Sequence, residues 1–500
     1  MIYIKLEGHD FRYEVEDIIR LYLGDEEIIY IEKMPPEDYR GIFVLSRIVM
    51  NENGELVAGS EIYADGRKWV GKYTGAIETE CSSNDIDQYE YQKRLKREVK
   101  RAIYIAFTEF TGTKMPWGML TGIRPAKIVH EMLEDGRNEA EIQGKLTTYY
   151  MIAENKASLL YDIAVTEKAL LDKTQTGMVG VYIGIPFCTT RCLYCSFTSN
   201  PLDKNSALVE SYLKALETEI SCVSELIKDM ELKVQSIYIG GGTPTSLGAE
   251  ALSRLLAHIE NKIDLSVLQE YTLEAGRPDT IDRNKLEVIK DSRVDRISIN
   301  PQTMNDDTLK LIGRGHTAED VVRTYNLARE IGFSNINMDV IVGLPGENKA
   351  MFENTMREIQ KLKPDSLTVH SMAIKRASRL KENKELYDLN SAAEAAEMIE
   401  IAGIYAGITG LKPYYLYRQK NMVGNLENIG YSRPGLESIY NIQIMEEKQT
   451  IIALGAGAIT KVVYKEENRL ERAFNVKSVE EYINRVEEMV ERKRKLLTCL

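Results

Sequence analysis

Ile185-Pro-Phe-Cys188-Thr-Thr-Arg-Cys192-Leu-Tyr-Cys195-Ser-Phe197 crowds three of the chain's six cysteines into one short run. A C-x3-C-x2-C triplet offers three thiolates, one fewer than a closed cubane iron–sulfur cluster requires. The fourth iron would stay open to a ligand that the protein does not supply. A zinc knuckle or a few buried free thiols are the alternatives. Structural zinc sites close with four ligands, commonly in paired C-x2-C units. The nearest later candidates here are Cys222 and His258. The triplet therefore reads first as a three-thiolate cluster site.

Outward from the triplet the chain has a regular beat. Apolar, β-branched runs at 179–185, 234–239, 270–274, 294–299, 336–342 and 366–370 alternate with helix-like stretches at 207–227, 249–261, 283–290, 318–331 and 351–362. Strands alternating with helices are repeated β-α units, and such crossovers require a parallel sheet. Right-handed connections curl six units into an open partial (β/α)6 barrel, so the fold class is α/β. Sites in such sheets lie at the carboxyl ends of the strands. The cysteines follow the first strand directly, at that end.

The flanking regions read differently. Residues 1–172 are expected to form an N-terminal α+β accessory domain. It has a strand at 2–6, a helix at 15–22, hairpin turns at Asn51-Glu-Asn-Gly54 and Ala64-Asp-Gly66, and helices at 88–110, 124–135 and 141–171. Polar residues 173–177 read as the linker into a barrel domain of 173–384. Residues 385–500 read as a mixed C-terminal extension, with a helix at 392–406, a strand at 414–417, the run Gly455-Ala-Gly-Ala458, and a charged, solvated surface helix at 479–497.

Composition narrows the function. A hydrophobic fraction of 44% and a charged fraction of 28% are those of an ordinary globular protein. A formal charge of −12 argues against a general nucleic-acid binder. No run reaches the ~18 apolar residues of a membrane span. The N-terminus lacks the basic and apolar regions of a signal peptide. Unevenly spaced cysteines suit metal binding in a reducing compartment, so a cytoplasmic location is expected. Cys81, Cys222 and Cys499 read as ordinary free thiols.

Other polar residues gather after successive strands. Gly240-Gly241-Gly242-Thr243-Pro244 follows the second, where glycines let backbone approach a ligand closely, although such a run alone is more often a tight turn. It is not the G-x-G-x-x-G of a dinucleotide site. Glu274 ends the third strand, Gln302 follows the fourth, Arg314 lies in Ile312-Gly-Arg-Gly-His316, and Asp339 sits within the fifth. A buried carboxylate needs a partner, which is a backbone N–H, an Arg or a ligand.

The triplet resembles that of the radical S-adenosylmethionine (SAM) enzymes. More specifically, four stretches resemble the oxygen-independent coproporphyrinogen III oxidase family: Val181-Tyr-Ile-Gly-Ile-Pro-Phe-Cys188, Gly240-Gly-Gly-Thr-Pro-Thr245, Asn300-Pro-Gln-Thr-Met-Asn305 and Asn337-Met-Asp-Val-Ile-Val-Gly-Leu-Pro-Gly346. Leu311-Ile-Gly-Arg314 and Gly455-Ala-Gly-Ala458 extend the match to about residues 179–460. Pro116-Trp-Gly-Met-Leu-Thr-Gly-Ile-Arg-Pro-Ala-Lys127 resembles the HemZ-type branch of that family.

The resemblance implies a [4Fe–4S] cluster on Cys188, Cys192 and Cys195. It implies one SAM or two, with contacts from Tyr182, Gly241, Gly242, Thr243, Glu274, Gln302, Arg314 and Asp339. Glu274 would meet the SAM ammonium group, and Asp339 ligand hydroxyl or amino groups. The implied enzyme is a coproporphyrinogen dehydrogenase of haem biosynthesis, turning propionates of a tetrapyrrole substrate into vinyl groups. Its electron would come from a low-potential donor such as flavodoxin or ferredoxin. Two positions depart from the biosynthetic pattern: Gly184 stands where those enzymes have His, and Phe197 where they carry another Cys. Cys195-Ser-Phe-Thr-Ser-Asn200 is nearer to haem chaperones of the same family. A chaperone delivering haem without decarboxylation is therefore the alternative, and a different tetrapyrrole reaction such as ring-opening methyl transfer the third. Arg376, Arg379, Arg418 and Arg433 are candidate partners for propionates or plain surface charge. His316 and His370 are candidate haem or metal ligands or packing groups.

Overall fold

The computed structural model describes residues 1–498 except 34, 36–38, 51–55, 74–87, 123, 197–199, 375–377, 383–386, 388–390, 420–421, 465–466 and 468. It divides into two compact units, Met1–Gly122 with Met132–Tyr161, and Ile123–Glu131 with Asp162–Leu500.

The first unit is built on a five-stranded sheet. Its order is Ile28–Tyr30, Ile2–Glu7, Ile42–Met50, Leu56–Ala64, Arg67–Tyr73. Ile2 and Ile4 alternate onto the buried face, and helix Arg12–Leu23 adds Val15, Ile18 and Ile19 to the same core. Asp65 and Gly66, with φ of 48° and 72°, make the two-residue turn that joins the last two strands. The expected turn at 51–54 lies outside the described residues. The continuous helix expected over 141–171 is broken: the helices are Glu139–Thr148 and Glu154–Leu171. Thr148 Oγ1 bonds back to the Gly144 carbonyl at 2.6 Å, and Met151 takes a left-handed φ of 58°. The break is then tied to an earlier loop, since the Met119 amide donates to the Tyr150 carbonyl and the Ala153 amide to the Pro116 carbonyl.

The second unit carries the expected β-α repeat. Strands Met178–Ile185, Lys233–Gly241, Glu270–Gly276, Arg296–Ile299, Ile336–Val342 and Ser366–Ser371 pair in that order, each parallel to the next. Helices Val209–Asp229, Ala249–Lys262, Arg283–Asp291, Ala318–Ile331 and Lys349–Leu362 make the crossovers. Val181, Ile183, Ile237, Ile239, Leu273, Ile297, Val340 and Val369 are all fully buried, as befits parallel strands covered on both faces. The C-terminal section extends the sheet at both edges. Ile451–Leu454 adds in parallel beside the first strand and Asn428–Ser432 antiparallel beside the sixth.

The expected solvated helix over 479–497 differs from the structure in two ways. Arg485 interrupts it, leaving Val479–Asn484 and Val486–Leu497. Lys493 is not solvated. It is buried, bonded to Glu219 Oε1 at 2.7 Å and to Asn475 Oδ1 at 2.6 Å. Glu219, fully buried on the first crossover helix, needs a cation, and this helix delivers one.

Candidate functional site

A cavity of about 500 Å³ opens at the carboxyl ends of the strands. Cys188, Cys192 and Cys195 line it, as do all eight of the other residues picked out from the sequence: Tyr182, Gly241, Gly242, Thr243, Glu274, Gln302, Arg314 and Asp339. Cys188 and Cys192 are buried and Cys195 half-buried. Their loop is anchored by the Leu193 amide to the Ile312 carbonyl at 3.0 Å and by Thr190 Oγ1 to the Gly313 carbonyl at 2.9 Å. Thr243 Oγ1 lies 3.5 Å from Cys188 Sγ. Burial pushes the Cys188 thiol up to about 11, so loading a metal there must displace a proton. Arg277 offsets this: its Nη1 stands 3.8 Å from Cys192 Sγ. Asp279 grips that guanidinium through two 2.9 Å bonds, and the fixed positive group favours thiolate charge.

Beside the sulfurs, glycines let neighbouring strand ends pack backbone against backbone. Gly241 has φ of 104°, which side chains rarely adopt. The Gly242 amide donates to the Ile185 carbonyl at 2.8 Å, and a Cβ there would fall 2.5 Å from the Phe187 carbonyl oxygen. Gln302 holds a left-handed φ of 68° although it is not glycine. Two backbone bonds impose it, from its amide to the Asp339 carbonyl at 2.9 Å and from the Ile341 amide to its own carbonyl at 3.0 Å. Strain of this kind persists where the surroundings dictate it, as at binding sites.

Acceptors dominate the polar wall. Gln302 Oε1 and Asn300 Oδ1 are buried without a hydrogen bond among the described residues. Tyr238 OH donates to Glu274. Burial, and then the charge of Asp339, push the Glu274 carboxyl up to about 7. Burial also works to raise Asp339, but hydrogen bonds and charge from His370, with bonds from Asn337 and Thr368, outweigh it and hold that carboxyl below its usual range. Asn337 Nδ2 reaches Asp339 Oδ1 at 2.7 Å, and His370 Nε2 lies 3.7 Å from Oδ2. Arg314 is fixed by Tyr194 OH at 2.9 Å. Two carboxylates and two orphaned amide oxygens call for a ligand rich in donors, with a cationic amine and hydroxyls. SAM has its ammonium and ribose diol, so the residues present fit it.

The remaining wall is aromatic. Tyr182, Tyr238 and Tyr440 stack, with Tyr238 and Tyr440 centroids 4.4 Å apart. Tyr415 and Tyr417 stack at 6.2 Å. Among the described residues, the arginines lining the cavity are Arg277, Arg296 and Arg314. Three of the arginines proposed from the sequence for carboxylate recognition are placed elsewhere. Arg379 is exposed, Arg418 is buried against the Asn425 carbonyl, and Arg433 pairs with Asp365 at 3.6 Å. Arg376 and Phe197 lie outside the described residues, as do Cys81 and Cys499. His370 lines the cavity, whereas His316 packs beside Asp279, with Nδ1 3.6 Å from its carboxylate. Arg277 and Arg296 are absent from the sequence reading. Arg277 directly follows the third strand, the placement that marks Gln302 and the glycines, and that signal could have found it.

Residues 182–359 match the Radical SAM superfamily. Over 99% of this chain and 97% of the relative, the sequence is 38% identical to the oxygen-independent coproporphyrinogen-III oxidase-like protein HemZ of Bacillus subtilis (strain 168). The chain belongs to the radical SAM HemZ family. Its cofactors are accordingly a [4Fe–4S] cluster and SAM. This HemZ-family chain is also 34% identical to the Heme chaperone HemW of Bacillus subtilis (strain 168), across 56% of its own length and 70% of that protein. Its fold matches coproporphyrinogen III oxidase (HemN) from Escherichia coli, a radical SAM enzyme, with a TM-score of 0.51 at 22% identity. That match covers 65% of this chain and 73% of the other. Among the described residues, no helix is long and apolar enough to cross a membrane.

Proposed function

We propose that this chain oxidatively decarboxylates coproporphyrinogen III, turning two propionates into vinyl groups to give protoporphyrinogen IX. One observation carries the reading: the three cysteines and a complete set of SAM-type acceptors line a single cavity, an outlay of buried polar groups that a passive carrier does not need. In this reading Cys188, Cys192 and Cys195 hold the cluster, and a low-potential donor such as flavodoxin or ferredoxin in the cytoplasm supplies its electron. When bound, the cluster and SAM supply a 5′-deoxyadenosyl radical that takes one hydrogen atom from a propionate chain, after which carbon dioxide and one electron leave, the electron passing to a one-electron acceptor.

The protein's part is to hold, orient and keep out water. Gly241 and Gly242 let SAM approach the strand ends, with Thr243 and Tyr182 beside them. Glu274 takes its ammonium group, Asp339 and Gln302 take hydroxyl or amino groups, and Arg314 faces its carboxylate. The stacked tyrosines offer flat walls to a macrocycle. Arg296, buried in the cavity with its Nε–H unbonded, is the cation for a substrate carboxylate.

The second reading, haem delivery without decarboxylation, is favoured by the HemW likeness and by Gly184. Gly184 brings no polar side chain to the strand end where the biosynthetic enzymes have His, and it does not line the cavity. Anaerobic incubation of cluster-loaded protein with coproporphyrinogen III, SAM and a strong reductant separates the two. Mass spectrometry is expected to find protoporphyrinogen IX with two 5′-deoxyadenosines per product, one for each vinyl group. Stable haem binding with no decarboxylated product would transfer the assignment to the chaperone.

A further inference from the structure

His130, Glu167 and Glu446 converge in the second unit, away from the cavity. They come from helices Ala126–Glu134, Glu154–Leu171 and Ile439–Glu446. Their side chains are 4%, 0% and 1% exposed. His130 Nε2 lies 2.8 Å from Glu167 Oε2 and 3.7 Å from Glu446 Oε2, and the three ligand atoms all fall within 4.8 Å of one another. Two buried carboxyls beside one imidazole can ionise together only where a cation meets their charge. The second oxygens, Glu167 Oε1 and Glu446 Oε1, have no hydrogen bond among the described residues.

Arg124, Lys448 and Lys127 stand near enough to favour charge on Glu446, but Arg124 is engaged by a different carboxylate. Arg124 bonds to Glu447, which also holds Lys461 at 3.0 Å and Arg472 at 3.2 Å. Burial keeps both triad carboxyls above their usual range, and the charge of Glu446 adds to this at Glu167. The neighbouring cations thus do not outweigh burial at Glu446.

We propose that His130, Glu167 and Glu446 bind one divalent zinc ion. Zinc takes imidazole nitrogen and carboxylate oxygen at about 2.0–2.2 Å in tetrahedral geometry, which sets its ligand atoms about 3.3 Å apart. The two nitrogen–oxygen separations, 2.8 and 3.7 Å, bracket that value. One nitrogen and two oxygens suit zinc better than magnesium or calcium, which prefer oxygen alone. The site differs in kind from the cluster site, where sulfur would be the ligand. Glu446 ends the helix that carries Tyr440, Asn441, Ile444 and Met445 to the cavity wall. The ion ties the end of that helix to the two helices that precede the barrel strands.

The test uses cluster-loaded chain, treated with a chelator, desalted anaerobically, then given zinc and desalted again. One zinc per chain is expected to remain, and at least tenfold less in Glu446→Gln protein of equal cluster-iron content. Zinc X-ray absorption on the unmutated chain is expected to show nitrogen and oxygen neighbours near ~2.0–2.1 Å and no sulfur near ~2.3 Å. That measurement stands even where the variant fails to fold. No retained zinc, equal zinc in both proteins, or a sulfur shell would each overturn the site, leaving a proton-sharing cluster or zinc at the cysteines instead.

Discussion

Cys192→Ala protein, reconstituted anaerobically with iron and sulfide, is expected to hold no [4Fe–4S] cluster and to cleave no SAM above background. The loss is complete rather than partial because the triplet has no spare. Three thiolates are already one short of a closed set, and Arg277 lies beside Cys192 with its other donors committed to Asp279 and Thr190. An alanine there leaves a guanidinium with no thiolate and an iron with no protein ligand. Cys188→Ala and Cys195→Ala are expected to behave alike. Cys222, on the crossover helix Val209–Asp229 and not on the cavity, supplies the control: Cys222→Ala should load fully. Iron and sulfide analysis with absorbance spectra decides the matter. Normal iron content in the Cys192→Ala protein would sink the assignment of these three cysteines.

The barrel is legible in the sequence because each of its strands hides both faces, so that β-branched runs stand out from the amphipathic helices between them. The site is legible for a related reason. Parallel topology sends every strand end to the same side, so Cys188, Gly241, Glu274 and Gln302 meet although long stretches of chain separate them. Periodicity fails where tertiary contacts overrule it. Ile142, Leu146, Tyr150 and Ile152 continue an apolar pattern through the helix break and are all buried. It is the distant Pro116–Met119 backbone that takes the hydrogen bonds there. Charge is the least legible property. Lys493 looks like surface and is buried, Arg418 looks like a ligand group and serves a loop carbonyl, and Arg296 opens a strand yet is buried, lines the cavity and donates to Ser366. Sequence alone shows that a residue is cationic, whereas its role depends on which carboxylate or carbonyl the fold brings to it.

SAM affinity is expected to fall about tenfold per pH unit below about 7, and Glu274 is the reason. Its carboxyl is buried beside Asp339, and burial first, then that charge, raise it to about 7. An unfolded Glu titrates near ~4.3. The folded protein therefore holds a proton that the unfolded chain gives up. That stabilising contribution is complete at low pH and is lost as the pH rises through about 7, an effect of about 4 kcal/mol at roughly 1.4 kcal/mol per unit. The unliganded site thus carries a cost at neutral pH that an ammonium group relieves. SAM should accordingly raise the melting temperature more above pH 7 than below it. Glu274→Gln keeps the shape and the hydrogen bond to Tyr238 but can hold no charge. Truncating a buried, bonded ion pair costs about 2–5 kcal/mol, so its SAM affinity is expected to drop about a hundredfold above pH 7 and to lose its slope below. Calorimetric titration of cluster-loaded protein across that range provides the measurement. A Glu274→Gln protein with the unmutated protein's affinity and pH slope would show that the ammonium group sits elsewhere, with Asp339 the next carboxylate to try.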